Sequence, residues 1–335
     1  MERFRLISEA EQPGRERQLK DWQFSYGDEF NLYQWDAEAL RIRRARVAPV
    51  LTNNRTDQYI KRLVNDIGDE MPAGQVEPVD AGDDPQLASD IDGVIRYIQR
   101  TSDADIAHLT AMNQQARMGV GYWRILPKRT GAHNRQDLKI QRIRNRFTVY
   151  LDPAAQDPAG ADAWDGYITE DLDRESYLRR WPQSALGSLL QSGRGHGDVP
   201  AAWIKDQSYQ VAEVWRRVPK PETEDEFHVE WAVINGIEIL EGNPDKSGPL
   251  IYPIPYIPIV RVIAEDFDDN GAVDYRGLTR GMRDPQKFGN YTDSATAESV
   301  ALTPEAAWVA AFGSLEGLSA DYESRSPRVL FYHPQ

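Results

Sequence analysis

The chain contains no cysteine. That excludes disulfides, thiol nucleophiles and thiolate metal sites, and it suits a reducing compartment. Histidine is sparse. His108, His133, His196, His228 and His333 are scattered, and none belongs to an HxxxH or HExxH pair. The GxSxG elbow of serine hydrolases and the GxxxxGK phosphate loop are both missing. GVG at 119–121 and GRGHG at 193–197 lack the third glycine of a dinucleotide fingerprint. Long apolar runs free of proline are missing too. The most apolar stretch, GPLIYPIPYIPIVRVIA (248–264), carries Pro249, Pro253, Pro255, Pro258 and Arg261. Proline removes amide donors that lipid cannot replace, so this reads as an extended segment and not a membrane span. The opening MERFRLISEAEQPGRERQLKDW has no apolar region of the kind a secretory signal needs. A soluble protein with no membrane partner is expected.

Positive charge is also in deficit. Lys and Arg number 39 against 53 Asp and Glu, a net charge of −14 with pI about 4.9. A protein that grips nucleic acid usually presents a basic surface, so tight, general DNA binding is disfavoured. Handling DNA without holding it is compatible with a negative wall.

What charge of positive sign there is clusters. Between Arg124 and Arg146 lie eight basic residues and one acid, Asp137, a local +7 that leaves −21 for the rest of the chain. Arg142, Arg144 and Arg146 alternate with Ile143, Asn145 and Phe147, which predicts a strand with one charged face. That face is either solvated or paired with the acidic remainder of the chain, or it meets an acidic surface of a neighbouring subunit.

At 335 residues, the chain exceeds the length at which one core stops growing, so more than one structural unit is expected. The first 120 residues read as helical. Tyr59, Ile60, Leu63, Val64, Ile67 and Met71 keep helical spacing behind a polar TNNRTD start. Pro85 opens a second helix with Leu87, Ile91, Val94, Ile95 and Ile98 on one face, and Ser102 or Asp103 caps a third towards Met118. Residues 72–85 read as a strand-like segment between turns. From Gly119 the period falls to two, in GYWRILP, KIQRIRNRFTVYLDP, GYITEDLD, SYQVAEVWRRVP, FHVEWAVING and IEILEG. A short helix near 174–181 has Asp173 as its cap. Helices followed by a block of strands predict an α+β fold.

AEDFDDNGAVDYRG (264–277) begins like a calcium loop, with Asp266, Asp268 and Asn270 at alternate positions before Gly271. Its twelfth position, where a bidentate Glu is required, is Gly277, and the preceding segment is strand-like where an EF-hand needs a helix. The reading is an acidic turn that leaves the sheet and enters a helix, with no bound metal. Arg276, Arg280, Arg283 and Lys287 then follow at i, i+4, i+7 and i+11, a basic stripe if that helix forms. Asp284-Pro285 and Gly289 sit inside it, and proline in a helix costs about 3 kcal/mol.

An ordered series of segments resembles the portal proteins of tailed bacteriophages, of the short-tailed type. In chain order these are LTNN (51–54), GVGYWRIL (119–126), RNRFTVYLDP (144–153), VAEVWRR (211–217), IPIVRVI (257–263), YRGL (275–278), DPQKFGN (284–290) with Ser294 and Glu298, LTPEAAWV (302–309), GSLEG (313–317) and RVLFYHP (328–334). The resemblance covers most of the chain. It implies a wing over 1–271, helical to 118 and strand-rich after, in which the helices pack on a mostly antiparallel β body. It implies a stem helix over 272–302 and the strand–helix–strand start of a small α/β clip over 303–335. The returning stem helix and the crown of such portals would lie outside this sequence.

The resemblance further implies a homo-oligomeric ring of about a dozen subunits, closed by cyclic symmetry, at one vertex of the virion capsid and assembled in the host cytoplasm. Such a ring is a conduit for double-stranded DNA during packaging and ejection. Its partners are the terminase motor, the major capsid and scaffolding proteins and the tail adaptor. No catalytic residue and no cofactor is implied. Two other readings stand beside it: a carboxylate-based, metal-dependent enzyme around 264–274, and a nucleic-acid-binding protein using 124–146. On the portal reading, the stripe Arg276, Arg280, Arg283 and Lys287 faces either a neighbouring subunit or the channel, and the subunit contact is favoured because the chain is acidic.

Overall fold

The computed structural model describes residues 2–27, 33–69, 74–78, 84–130, 135–186, 204–205, 208–220, 226–243, 248–269, 272–302, 308–313 and 329–333. They form two compact units, residues 1–22 with 59–280 and residues 23–58 with 281–335. Among the described residues no helix is long and apolar enough to cross a membrane.

Five helices come first: α1 (Glu2–Tyr26), α2 (Ala37–Ala45), α3 (Arg55–Asp69), α4 (Pro85–Ser102) and α5 (Ala104–Met118). Proline opens α4 behind Asp84, whose carboxylate accepts the Gln86 amide, because proline lacks only an amide that would be unpaired there anyway. Asp103, expected as a side-chain cap, instead ends α4 in the left-handed conformation at φ 51°, and its side chain makes no cap bond to α5. Ser102 Oγ accepts the Ile140 amide. In α3, Ile60 and Val64 pack on Leu109 and Ala116 of α5. In α4 the apolar face is only partly used. Ala88, Asp92 and Ser102 turn inwards, while Leu87, Ile91 and Val94 stay 57%, 43% and 56% exposed. Residues 74–78, in the segment read as strand-like, form no strand.

From Val120 the chain is antiparallel sheet. β1 (Val120–Thr130) lies between β2 (Arg135–Arg142) and β10 (Ile259–Ile263). A second, seven-stranded sheet runs β3 (Val149–Leu151), β4 (Asp165–Asp173), β6 (Ser208–Pro219), β7 (Phe227–Ile234), β8 (Ile239–Glu241). On it, β5 (Ile204–Lys205) pairs with β6 and β9 (Leu250–Tyr252) with β7. The main core joins Val120 and Tyr122 of β1 to Val149, Leu151, Trp215, Val229 and Ile259. The helix α6 (Arg174–Arg180) is capped by Asp173, which accepts the Ser176 amide. It carries Tyr177 into a second cluster with Trp181, Tyr209 and Val233.

After β10 the chain departs from expectation. Glu265–Asp269 (β11) and Ala272–Arg276 (β12) pair as a hairpin, with Asp266 opposite Tyr275. Residues 272–276 are therefore strand, and the helix expected from 272 begins at Leu278. Asn270-Gly271 lies between two short alternating runs, the strongest short-range hairpin signal, and it outweighs the helical spacing read across Arg276.

Helix α7 (Leu278–Leu302) continues through Pro285. The carbonyl that loses its partner belongs to Gly281, four residues earlier. Beyond α7, β13 (Trp308–Ala311) and β14 (Val329–Tyr332) pair in parallel. The helix expected between them falls at 314–328, outside the described residues.

Three glycines let backbones approach within the first unit. A Cβ on Gly121 would stand 2.0 Å from the Ala111 carbonyl oxygen, and one on Gly277 2.7 Å from that of Ala116. Gly119 closes α5 at φ 95° with its amide on the Gln115 carbonyl. Gly121→Ala forces backbone to move, so it should cost about 3 kcal/mol or prevent folding. Gly289→Ala meets nothing within 4 Å in mid-helix and should gain about 0.5–1 kcal/mol. Urea unfolding of the two variants checks the contrast.

Candidate functional site

The motif residues of α7 converge on one strip of backbone. Gln286, Asn290 and Ser294 recur every fourth position and are all buried, so they form a polar ridge on one helix face. Facing them within the second unit is the segment 51–56, where α3 has barely begun and the amides have no ladder of their own. The Leu51 amide donates to Ser294 Oγ at 2.9 Å and the Asn53 amide to Asn290 Oδ1 at 3.2 Å. The amides of Arg55 and Thr56 share Gln286 Oε1 at 3.1 and 3.2 Å, while Gln286 Nε2 donates to the Asn53 carbonyl at 2.7 Å. Asn54 caps α3 by accepting the Asp57 amide at 3.0 Å. One turn beyond Ser294, Glu298 accepts from Arg43 Nη2 at 3.0 Å. The LTNN segment and the Gln–Asn–Ser–Glu series, far apart in sequence, are two halves of one hydrogen-bonded device.

The basic stripe divides. Arg276 is on β12, not on the helix; its guanidinium lies 3.7 Å from Asp274 and covers the Phe267 ring at 4.2 Å. Arg280 does not pair with Asp284. It bridges two buried carboxylates of its own unit, donating to Asp21 Oδ2 from Nε (3.0 Å) and Nη2 (2.7 Å), and to Asp274 Oδ2 from Nη1 at 2.6 Å. Arg17 reaches the other Asp274 oxygen at 3.2 Å. Burial works against the Arg280 charge, but Asp21 and Asp274 more than offset it and hold its pKa above the ordinary value. The Gly277 turn makes this possible by folding residue 280 back beside residue 274. Arg283 and Lys287 belong to the second unit, where Arg283 lies 5.8 Å from the Phe24 ring and Lys287 is half-buried.

The alternating arginines also separate. The strand ends at Arg142; Arg144 is in a bend, and Arg146 starts a 3₁₀ turn that Asn145 caps through the Phe147 amide. Arg142 and Arg144 are exposed and make no ion pair among the described residues. Arg146 is buried at 2% exposure beside the Tyr122 and Phe147 rings, so the three do not share a charged face. The sequence reading also missed Glu11, Arg15, Arg17 and Asp21. All four lie on α1, at i, i+4, i+6 and i+10, and Arg15 pairs with Glu11 at 2.8 Å and stacks on Tyr150 at 3.8 Å. The i, i+4 spacing of Glu11 with Arg15 and of Arg17 with Asp21 was the available signal. In the acidic hairpin, Asp266 is exposed, and among the described residues no group of three His, Asp or Glu is placed to hold a metal ion.

The family model described as phage P22-like portal protein matches residues 1–334. The chain belongs to the P22-like portal family. No curated protein matches it. The portal family is structural, a ring-forming component of the phage capsid that serves DNA packaging. The residues that build the polar ridge are among those that carry the portal resemblance.

Removing Arg280 leaves two buried carboxylates without their main partner. Arg280→Gln should therefore cost about 3–5 kcal/mol, whereas Lys287→Gln should stay within about 0.5 kcal/mol. Urea titrations at constant salt measure both.

Proposed function

We propose that this chain assembles as a closed ring of about a dozen identical copies at one vertex of the capsid. The ring passes double-stranded DNA through its centre during packaging and ejection, and it docks the terminase and then the tail. Residues 1–271 act as the wing, α7 as the stem and 303–335 as the beginning of the clip. The single observation that carries this reading is the portal-family match over residues 1–334. The physical features agree with it. A net charge of −14 suits a conduit, because counterion-release binding along a basic channel would hold the DNA in place.

Exposed groups supply the material for contacts between copies. Leu87, Ile91 and Val94 form an uncovered stripe on α4, and Arg142 and Arg144 offer free cations to an acidic neighbour. Of the basic stripe, the half-buried Lys287 is the member offered to a neighbour or the channel, since Arg280 is committed within its own chain. Native mass spectrometry and negative-stain imaging test the reading. Rings of many copies are expected, and Arg142→Glu with Arg144→Glu should shift the population towards free subunits. A monomer or dimer at micromolar concentration would point instead to one of the enzyme or binding-protein alternatives.

A further inference from the structure

The first unit has an open cavity of about 490 Å³ between α1, β1, β12 and the loop that follows β3. Four arginines line it, Arg15, Arg17, Arg146 and Arg261, against two carboxylates, Glu11 and Asp152. Three of the four are already committed. Arg15 donates to Glu11 and to the Val149 carbonyl, both at 2.8 Å. Arg17 meets Asp274 at 3.2 Å. Arg261 donates to Tyr275 Oη at 2.7 Å and to the carbonyls of Ala155, Asp157 and Pro158.

Arg146 is the exception. It is 2% exposed, yet its Nε and Nη1 have no hydrogen-bond partner. Its nearest carboxylate oxygen, on Glu11, stands 3.9 Å away and is shared with Arg15. A buried guanidinium with idle donors is costly unless something charged or strongly polar completes it. The remaining groups around the cavity suit a donor-seeking guest. Burial raises the Tyr122 phenol to about 12, and Arg146 and Arg261 only partly counter it, so this hydroxyl stays protonated and able to donate. Tyr275 accepts from Arg261 and keeps its own proton to give. Among the buried lining atoms, Gln18 Oε1 is an acceptor without a hydrogen-bond partner.

We propose that this cavity is an oxyanion site that takes one phosphate group, with Arg146 as its principal ligand and Tyr122 and Tyr275 as supporting donors. The guest is recognised by charge and by several acceptor oxygens, which Arg146 cannot obtain from Glu11. A free phosphate ion and a phosphodiester of the DNA backbone share this chemistry.

Isothermal titration of the full chain with inorganic phosphate, at constant ionic strength in chloride, tests the site. Binding is expected, with Tyr122→Phe weakening it about tenfold, as loss of one bond to a charged group does. Arg146→Gln should abolish it. Tyr122→Phe removes a single oxygen, so it keeps the test open if Arg146→Gln does not fold. A short DNA duplex forms the second arm. Competition between duplex and phosphate for wild type identifies the guest as backbone phosphate; phosphate binding without competition identifies a free ion. Either result supports the site. No phosphate binding, or binding unchanged in the folded variants, would mean that the cavity holds only solvent and would overturn the proposal.

Discussion

The polar ridge of α7 is the constraint on which the second unit depends. Residues 51–54 run in neither helix nor sheet, and Arg55 and Thr56 open α3. The amides of Leu51, Asn53 and Thr56 would therefore be left without partners, and that of Arg55 would keep only the Asn53 carbonyl. A buried, unpaired amide costs about 1–3 kcal/mol. Gln286, Asn290 and Ser294 meet this need one turn apart, each accepting from the facing backbone. Two of these side chains are also linked to each other, Gln286 Nε2 to Asn290 Oδ1 at 2.8 Å, and Asn290 holds the Gln34 carbonyl at 3.3 Å. Such a ridge needs a continuous helix to keep its four-residue repeat. That is a physical reason for α7 to continue through Pro285, immediately before the first rung.

In the first unit a comparable part is played by carboxylates. Asp21 and Asp274 are both nearly inaccessible, and each is held by Arg280. A buried ion pair is weak evidence for net stability, but breaking one is severe. The effect is to fix the β12–α7 corner, whose close approach to α5 already requires glycine at 277. Charge in this protein therefore divides into two populations. Arginines such as Arg15, Arg146, Arg261 and Arg280 are interior parts, whereas Arg142 and Arg144 face outwards.

That division explains which features were legible in the sequence. Local signals were enough for most elements: the proline start of α4, the Asp173 cap of α6, and the period-two runs of β4, β6 and β7 appear where the pattern placed them. The portal motifs were visible as an ordered series, but their purpose was not, because a Gln–Asn–Ser repeat looks like a solvated helix face until LTNN is set against it. The hairpin at 265–276 is announced by Asn270-Gly271, but reading 264–277 as a turn that enters a helix draws the helix back to 272, over residues that are strand. Arg146 was misplaced because three alternating arginines fit a strand, and only the 3₁₀ turn at 146–148 rotates the third inwards. Arg280 was read as a surface charge because its partners are 259 and 6 residues away, and a helical wheel shows neither.

Hydrogen exchange at single-residue resolution tests the central claim most directly. The amides of Leu51, Asn53, Arg55 and Thr56 lie outside any strand or at the unsatisfied first turn of a helix, where rapid exchange is normal. Held by the ridge, they should exchange as slowly as the interior of α7, and Asn290→Ala should release them while leaving β6 and β7 protected. Rapid exchange of all four in the unaltered protein would contradict the account.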